Sequence, residues 1–156
     1  MAPKAVRVFL DSNVILSGLF SEQGSPRILL DLLSLGLPFL KGLTGRYNII
    51  EIERNLIKKM PGCIPLYKRY FPKLNLEIIA LPSGDEIIKY AGTTADKDIP
   101  VLVSALKGKA DFLVTGDKKD FFHLKETRGF PFKIASPSEF LADIPDLLKK
   151  GEEERL

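Results

Sequence analysis

The sequence predicts an α/β fold, a parallel sheet with helices on both faces, and three observations carry that reading. Short apolar runs alternate with segments of helical character along the whole chain. Two of the runs lead straight into an acidic residue: Val6–Leu10 before Asp11, and Phe112-Leu113-Val114 before Thr115-Gly116-Asp117. No linker, repeat or low-complexity segment interrupts the 156 residues, a length that suits one domain. That domain is expected over residues 1–150, with 151–156 a charged tail that frays.

Val6–Leu10 reads as a buried first strand. Ser25 and Pro26 open an amphipathic helix to Leu35, with serine as cap and proline at the first helical position. A second strand spans Leu37–Leu43, weakened by Lys41 and Gly42. Thr44 is expected to cap a helix that runs to about Met60, where Pro61-Gly62 stops it. Ile64–Phe71 reads as a short helix and Leu76–Leu81 as a third strand. Ser83-Gly84-Asp85-Glu86 has the spacing of a capping box and opens a helix to about Ala91. A further helix covers Ile99–Lys107, with Pro100 in its first turn. The fourth and fifth strands are Asp111–Val114 and Phe132–Ala135. Ser136-Pro137-Ser138-Glu139 repeats the capping-box spacing and begins a C-terminal helix over Phe140 and Leu141.

Composition narrows the chemistry. Lys and Arg total 23 against 20 Asp and Glu, a formal charge of +3, too small by itself to imply nucleic acid. If several acids share one cleft, however, the remaining surface is more basic than the average and suits a polyanion. The single cysteine, Cys63, forbids an intrachain disulfide and reads as an incidental thiol in a turn. No signal-peptide pattern or bilayer-length apolar run is present, so the cytoplasm is the expected compartment and no membrane partner is expected. One histidine, His123, rules out a multi-histidine zinc site. Neither a Gly-x-Ser-x-Gly elbow, a Walker A loop nor a Gly-x-Gly-x-x-Gly fingerprint occurs.

What remains is acid. Strands 1 and 4 end in Asp11 and Asp117, and if they are neighbours where the strand order reverses, these two sit side by side at the ligand-binding edge. Helices starting at the same edge would add Glu51 and Asp98. Such carboxylates repel one another, and a hard divalent cation such as Mg²⁺ or Mn²⁺ relieves the repulsion. Each aspartate alone is more often a cap or a strand end; the joint pattern is what points to a metal centre. The helical acid stays open on residue grounds. Glu53 falls within an apolar stripe of Ile49, Ile52, Leu56 and Met60, where an acid needs a partner or a metal, while Glu51 faces the polar side.

Four segments carry a resemblance to a known family: Val8-Phe9-Leu10-Asp11-Ser12-Asn13-Val14-Ile15, Ile49-Ile50-Glu51-Ile52-Glu53-Arg54-Asn55-Leu56, Asp98-Ile99-Pro100-Val101-Leu102-Val103-Ser104-Ala105, and Ala110 through Phe121 with Thr115-Gly116-Asp117 at its centre. Together they resemble the PIN domain family of metal-dependent ribonucleases, which includes the toxins of toxin–antitoxin pairs. The likeness runs from Val6 to about Leu141. It implies a three-layer fold with a five-stranded parallel sheet in the order 3-2-1-4-5. It implies Mg²⁺- or Mn²⁺-dependent hydrolysis of single-stranded RNA, an antitoxin protein as partner, and a homodimer. Asp11, Glu51, Asp98 and Asp117 match the family's four acidic positions, so its spacing selects Glu51 over Glu53. Asn13 matches a polar residue that hydrogen-bonds within the site, and Thr115 the hydroxyl beside the last acid. Lys118 and Lys119, next to Asp117, are candidates for phosphate contact. Asp96 reads as an outer ligand or a loop residue, and Asp120 as a helix cap.

Two other readings compete. A catalytically inactive RNA- or protein-binding module of the same fold would need no acids, yet all four are present. A receiver or dehalogenase-like phosphotransfer protein also places acids at strand ends. A dehalogenase, however, carries a second aspartate where this chain has Asn13.

Overall fold

A computed structural model of the chain describes residues 4–117, 121 and 130–155. Its sheet has five strands, all parallel: β1 (Val6–Leu10), β2 (Leu40–Gly45), β3 (Glu77–Ile79), β4 (Phe112–Val114) and β5 (Lys133–Ala135), in the order β3-β2-β1-β4-β5. The expected fold class and strand order are both borne out. Because side chains alternate across a strand, each apolar run feeds two cores. Val8 and Leu10 of β1, with Phe112 and Val114 of β4, enter one core. Phe9, Leu43 of β2 and Leu113 of β4 enter the other. Runs without polar alternation are therefore what a sheet covered on both faces requires.

The α-helices bounded within the described residues are α1 (Ser12–Phe20), α2 (Ser25–Ser34), α3 (Arg46–Lys59), α4 (Ile64–Tyr70), α5 (Gly84–Lys89), α6 (Ile99–Lys107) and α7 (Pro137–Arg155). Leu29, Leu30 and Leu33 of α2, Ile52 and Leu56 of α3, and Phe140 of α7 pack into the first core. Val101, Leu102 and Ala105 of α6 pack into the second. Both capping boxes form. The Ser83 hydroxyl accepts from Glu86 N–H while the Glu86 carboxylate accepts from Ser83 N–H, and Ser136 and Glu139 repeat the exchange.

Several boundaries differ from expectation, each for a physical reason. Helix α1 was not foreseen, because Val14-Ile15-Leu16 and Leu19-Phe20 leave no clear polar face around Gly18. Asp11 starts it as N-cap, its side chain accepting from Ser12 N–H at 2.8 Å. Gly24, not Ser25, precedes α2 as its cap. Thr44 does not cap α3; it is fully buried within β2, and its hydroxyl donates to the Leu10 carbonyl at 2.8 Å. Gly45 takes the cap position instead. Gly42, which weakened the strand reading, is needed for packing: a Cβ there would come within 2.6 Å of Leu76. The aromatic segment at Tyr67 belongs to the core. Tyr67 is buried against Phe71, and the Tyr70 hydroxyl donates to Asp31 under the Arg27 guanidinium. The last helix continues past Lys150 to Arg155.

Candidate active site

The topology sets β1 beside β4, with Leu10 opposite Val114. The ladder continues one step further, from Asp11 N–H to the Val114 carbonyl at 3.0 Å. Asp11 is thus carried to the sheet's carboxyl edge and buried there, 7% exposed. One of its oxygens accepts from Ser12 N–H and, at 3.3 Å, from the Asn48 amide. The other accepts from the Thr115 hydroxyl at 2.9 Å. These donors favour the charged form, but burial outweighs them and raises the pKa to about 6, with Glu51 and Asp98 pushing in the same direction. The last two causes put Glu51 and Asp98 within electrostatic reach of Asp11.

Glu51 comes from the second turn of α3, half-buried, accepting from the Ser12 hydroxyl at 2.6 Å. That hydroxyl in turn accepts from the Asn48 amide at 2.9 Å, so Asn48 orders both Asp11 and Ser12. Asp98 immediately precedes α6 and is buried, yet its side chain caps no N–H of that helix. A pure capping role does not account for it. Asp117 is exposed, and Asn13 clips it in place. The Asn13 amide donates to its carboxylate at 2.9 Å while the Asn13 carbonyl accepts from Gly116 N–H at 3.0 Å. Asp117 N–H donates to the Thr115 hydroxyl at 3.1 Å, linking the last acid to the first through one threonine.

Asp11, Asn13, Glu51, Asp98 and Asp117 all line a single cleft of about 200 Å³. Thr115 lies beneath it, fully buried. Among the described residues the acids of the lining are all carboxylates, and no histidine or cysteine joins them. That oxygen-only donor set fits Mg²⁺ or Mn²⁺. Among the described residues, however, no three such side chains converge closely enough to hold an ion as they stand. Three of the four accept from neutral donors: Asp11 from Thr115 and Ser12, Glu51 from Ser12, and Asp117 from Asn13.

Sequence reasoning did not single out Ser12, Asn48, Asn55 or Lys97, which also belong to or support this cleft. For Asn48 the readable signal was its spacing alone: at i, i+4 and i+8 with Ile52 and Leu56 it shares their face of α3, which the structure buries. The helical wheel misplaced Glu53. It is exposed rather than embedded in the apolar face, and so is Met60. Asp96 is exposed and does not line the cleft. Lys118, Lys119, Asp120 and His123 lie outside the described residues.

A PIN-domain family model matches residues 7–119, and the chain belongs to the PIN domain family. Among solved structures it resembles VapBC2 from Rickettsia felis bound to a DNA fragment from their promoter. There the TM-score is 0.61 at 17% identity, over 84% of this chain and 98% of that one. It also resembles a toxin–antitoxin complex from Klebsiella pneumoniae, with TM-score 0.55 at 18% identity, over 83% of this chain and 97% of that one. At such identities the likeness is one of fold. No curated protein matches the sequence significantly. No helix among the described residues is long and apolar enough to cross a membrane.

Proposed function

We propose that the chain is a metal-dependent endoribonuclease that hydrolyses phosphodiester bonds in single-stranded RNA. The observation that supports this most is the gathering of Asp11, Glu51, Asp98 and Asp117 in one cleft, with Asp11 held charged only against its own burial. Those four carboxylates would hold Mg²⁺ or Mn²⁺. When bound, such an ion supplies a water nucleophile at neutral pH and neutralises charge on the phosphodiester. Thr115 and Ser12 fix the orientation of Asp11, Asn13 fixes that of Asp117, and Asn48 holds Ser12 toward Glu51. No protein nucleophile is required, so no covalent protein–RNA adduct forms. Lys118 and Lys119 follow Asp117 directly in sequence and are the proposed phosphate contacts. The finer reading is a toxin held by an antitoxin and acting as a homodimer; it draws on the shared fold of the two toxin–antitoxin complexes.

One observation favours the second reading, an inactive RNA- or protein-binding module: no three acids converge on a common point. Incubating the purified protein with a pool of diverse RNAs, with Mn²⁺ or with EDTA, separates the two. Cleavage is expected only with metal, and Asp117→Asn should abolish it. If the metal-loaded protein leaves every RNA uncut and Asp117→Asn behaves identically, the binding-module reading replaces the nuclease.

A further inference from the structure

The opposite edge of the sheet, where β1, β2 and β4 begin, holds a groove of about 830 Å³. Its floor is aliphatic, formed by Val6, Leu37, Pro38, Leu40 and Leu147. Lys4, Lys41, Lys109 and Lys150 line it as well. Lys41 donates to the Asn75 carbonyl, and among the side chains described within residues 4–117, 121 and 130–150 none forms an ion pair with Lys4, Lys109 or Lys150. Arg7 also reaches the groove, with its guanidinium engaged by Glu77 and the Gly108 carbonyl. Asp111, the one acid among the described lining residues, is turned toward the Arg7 backbone N–H.

Lys109 adds a second observation. Helix α6 ends at Lys107, and the left-handed residue that follows is Lys109, at φ 52°. The neighbouring glycine is spent elsewhere: a Cβ on Gly108 would come within 2.9 Å of Ile79 and Leu43. Glycine at 109 would make the same turn with less strain. Backbone geometry therefore does not explain the lysine.

We propose that this groove docks an acidic peptide segment bearing aliphatic side chains, supplied by another protein. The aliphatic floor matches the apolar side chains and the surplus of lysines matches the carboxylates. A volume of this size lies within the roughly 300–1,000 Å³ typical of ligand pockets. Nucleic acid fits less well. Among the described lining residues the one aromatic, Phe112, is buried and offers no stacking face, and the one arginine is already engaged. None of these residues lines the acidic cleft, so the inference stands apart from the nuclease reading.

Fluorescence anisotropy tests it, using the full chain and a short fluorescein-labelled peptide of Glu and Leu. Binding should weaken with added salt, and the Lys4→Glu/Lys109→Glu/Lys150→Glu variant should bind about tenfold more weakly or worse. Lys109→Gly guards against a folding artefact: its melting temperature should hold or rise while peptide affinity falls severalfold. Equal binding by the wild type and the triple variant overturns the proposal, as does absence of peptide binding. It is also overturned if labelled oligouridylate binds the wild type more tightly than the peptide and loses that advantage in the triple variant. The groove would then belong to nucleic acid.

Discussion

The two edges of this sheet carry opposite charge. At the carboxyl edge Asp11 and Asp98 stand directly before α1 and α6, whereas at the amino edge Lys109 follows α6 and Lys150 lies near the end of α7. Part of that segregation follows from topology alone. Helices antiparallel to the strands put their N-termini at one edge, where acids are favoured, and their C-termini at the other, where lysines are. Topology does not explain the packing of four acids into one cleft, or the raised pKa of Asp11. A helix N-terminus would lower that pKa. The contrast sets charge that topology favours against charge that burial opposes, and the second kind is what a functional-site candidate shows.

The largest effect should come from removing one cleft charge without disturbing its supports. Asp117→Asn keeps an oxygen to accept from Asn13, so folding should be nearly unchanged. RNA cleavage in Mn²⁺ should fall by at least about 100-fold, beyond the loss typical of outer supporting residues. Gel analysis of a mixed RNA pool reads the outcome, and unchanged cleavage would remove Asp117 from the site. A smaller effect is expected one step out. Thr115→Val deletes a hydroxyl that donates to Asp11 and accepts from Asp117 N–H. Calorimetry should show Mn²⁺ affinity reduced about tenfold. If the affinity is unchanged, Thr115 acts only in packing.

The sheet and its terminal acids were legible because a fully buried strand reads as an apolar run, and a carboxylate at its end cannot continue that run. The family spacing supplied the strand order. What stayed hidden depended on contacts between distant segments. Nothing local to Asn48 says that its amide reaches Asp11, and nothing local to Thr44 says that its hydroxyl serves Leu10 rather than a helix end. The Glu53 error has a geometric source. Met60 lies beyond the end of α3, and including it rotated the inferred apolar stripe toward Glu53. The buried face is set by Asn48, Ile49, Ile52 and Leu56, with a polar residue as its first member. A rule that expects only apolar residues on a buried face will misread such a helix.

If the cleft acids oppose folding, neutralising one should help the metal-free protein. Asp98→Asn should raise its melting temperature in EDTA by about 2–4 °C, the shift expected for roughly 1 kcal/mol in a chain of this size. The same change should shrink the stabilisation gained on adding Mn²⁺, because a ligand that binds only the native state stabilises in proportion to its affinity. Differential scanning fluorimetry measures both. A fall of several degrees in EDTA would mean that Asp98 supports the fold and does not strain it.

Glu86 supplies the opposite case and the smallest expected effect. This carboxylate is held below its usual pKa, first by the Ser83 N–H in the capping box and then by Lys107. A carboxylate with a lowered folded pKa stabilises above its unfolded value, and that contribution is lost as pH falls through the folded value. Glu86→Gln should therefore lower the melting temperature slightly at neutral pH. As the solution is acidified below pH 4.5, the reference value for this group, the variant and wild-type curves should converge. The shift should be smaller than that of Asp98→Asn and opposite in sign, since the Glu86 charge is partly exposed and partnered while Asp98 shares a cleft with three other acids. A pH-independent gap would show that Glu86 acts through the shape of its hydrogen bonds and not through its charge. The distinction between charge that serves the fold and charge that serves the site would then have to rest on Asp98 alone.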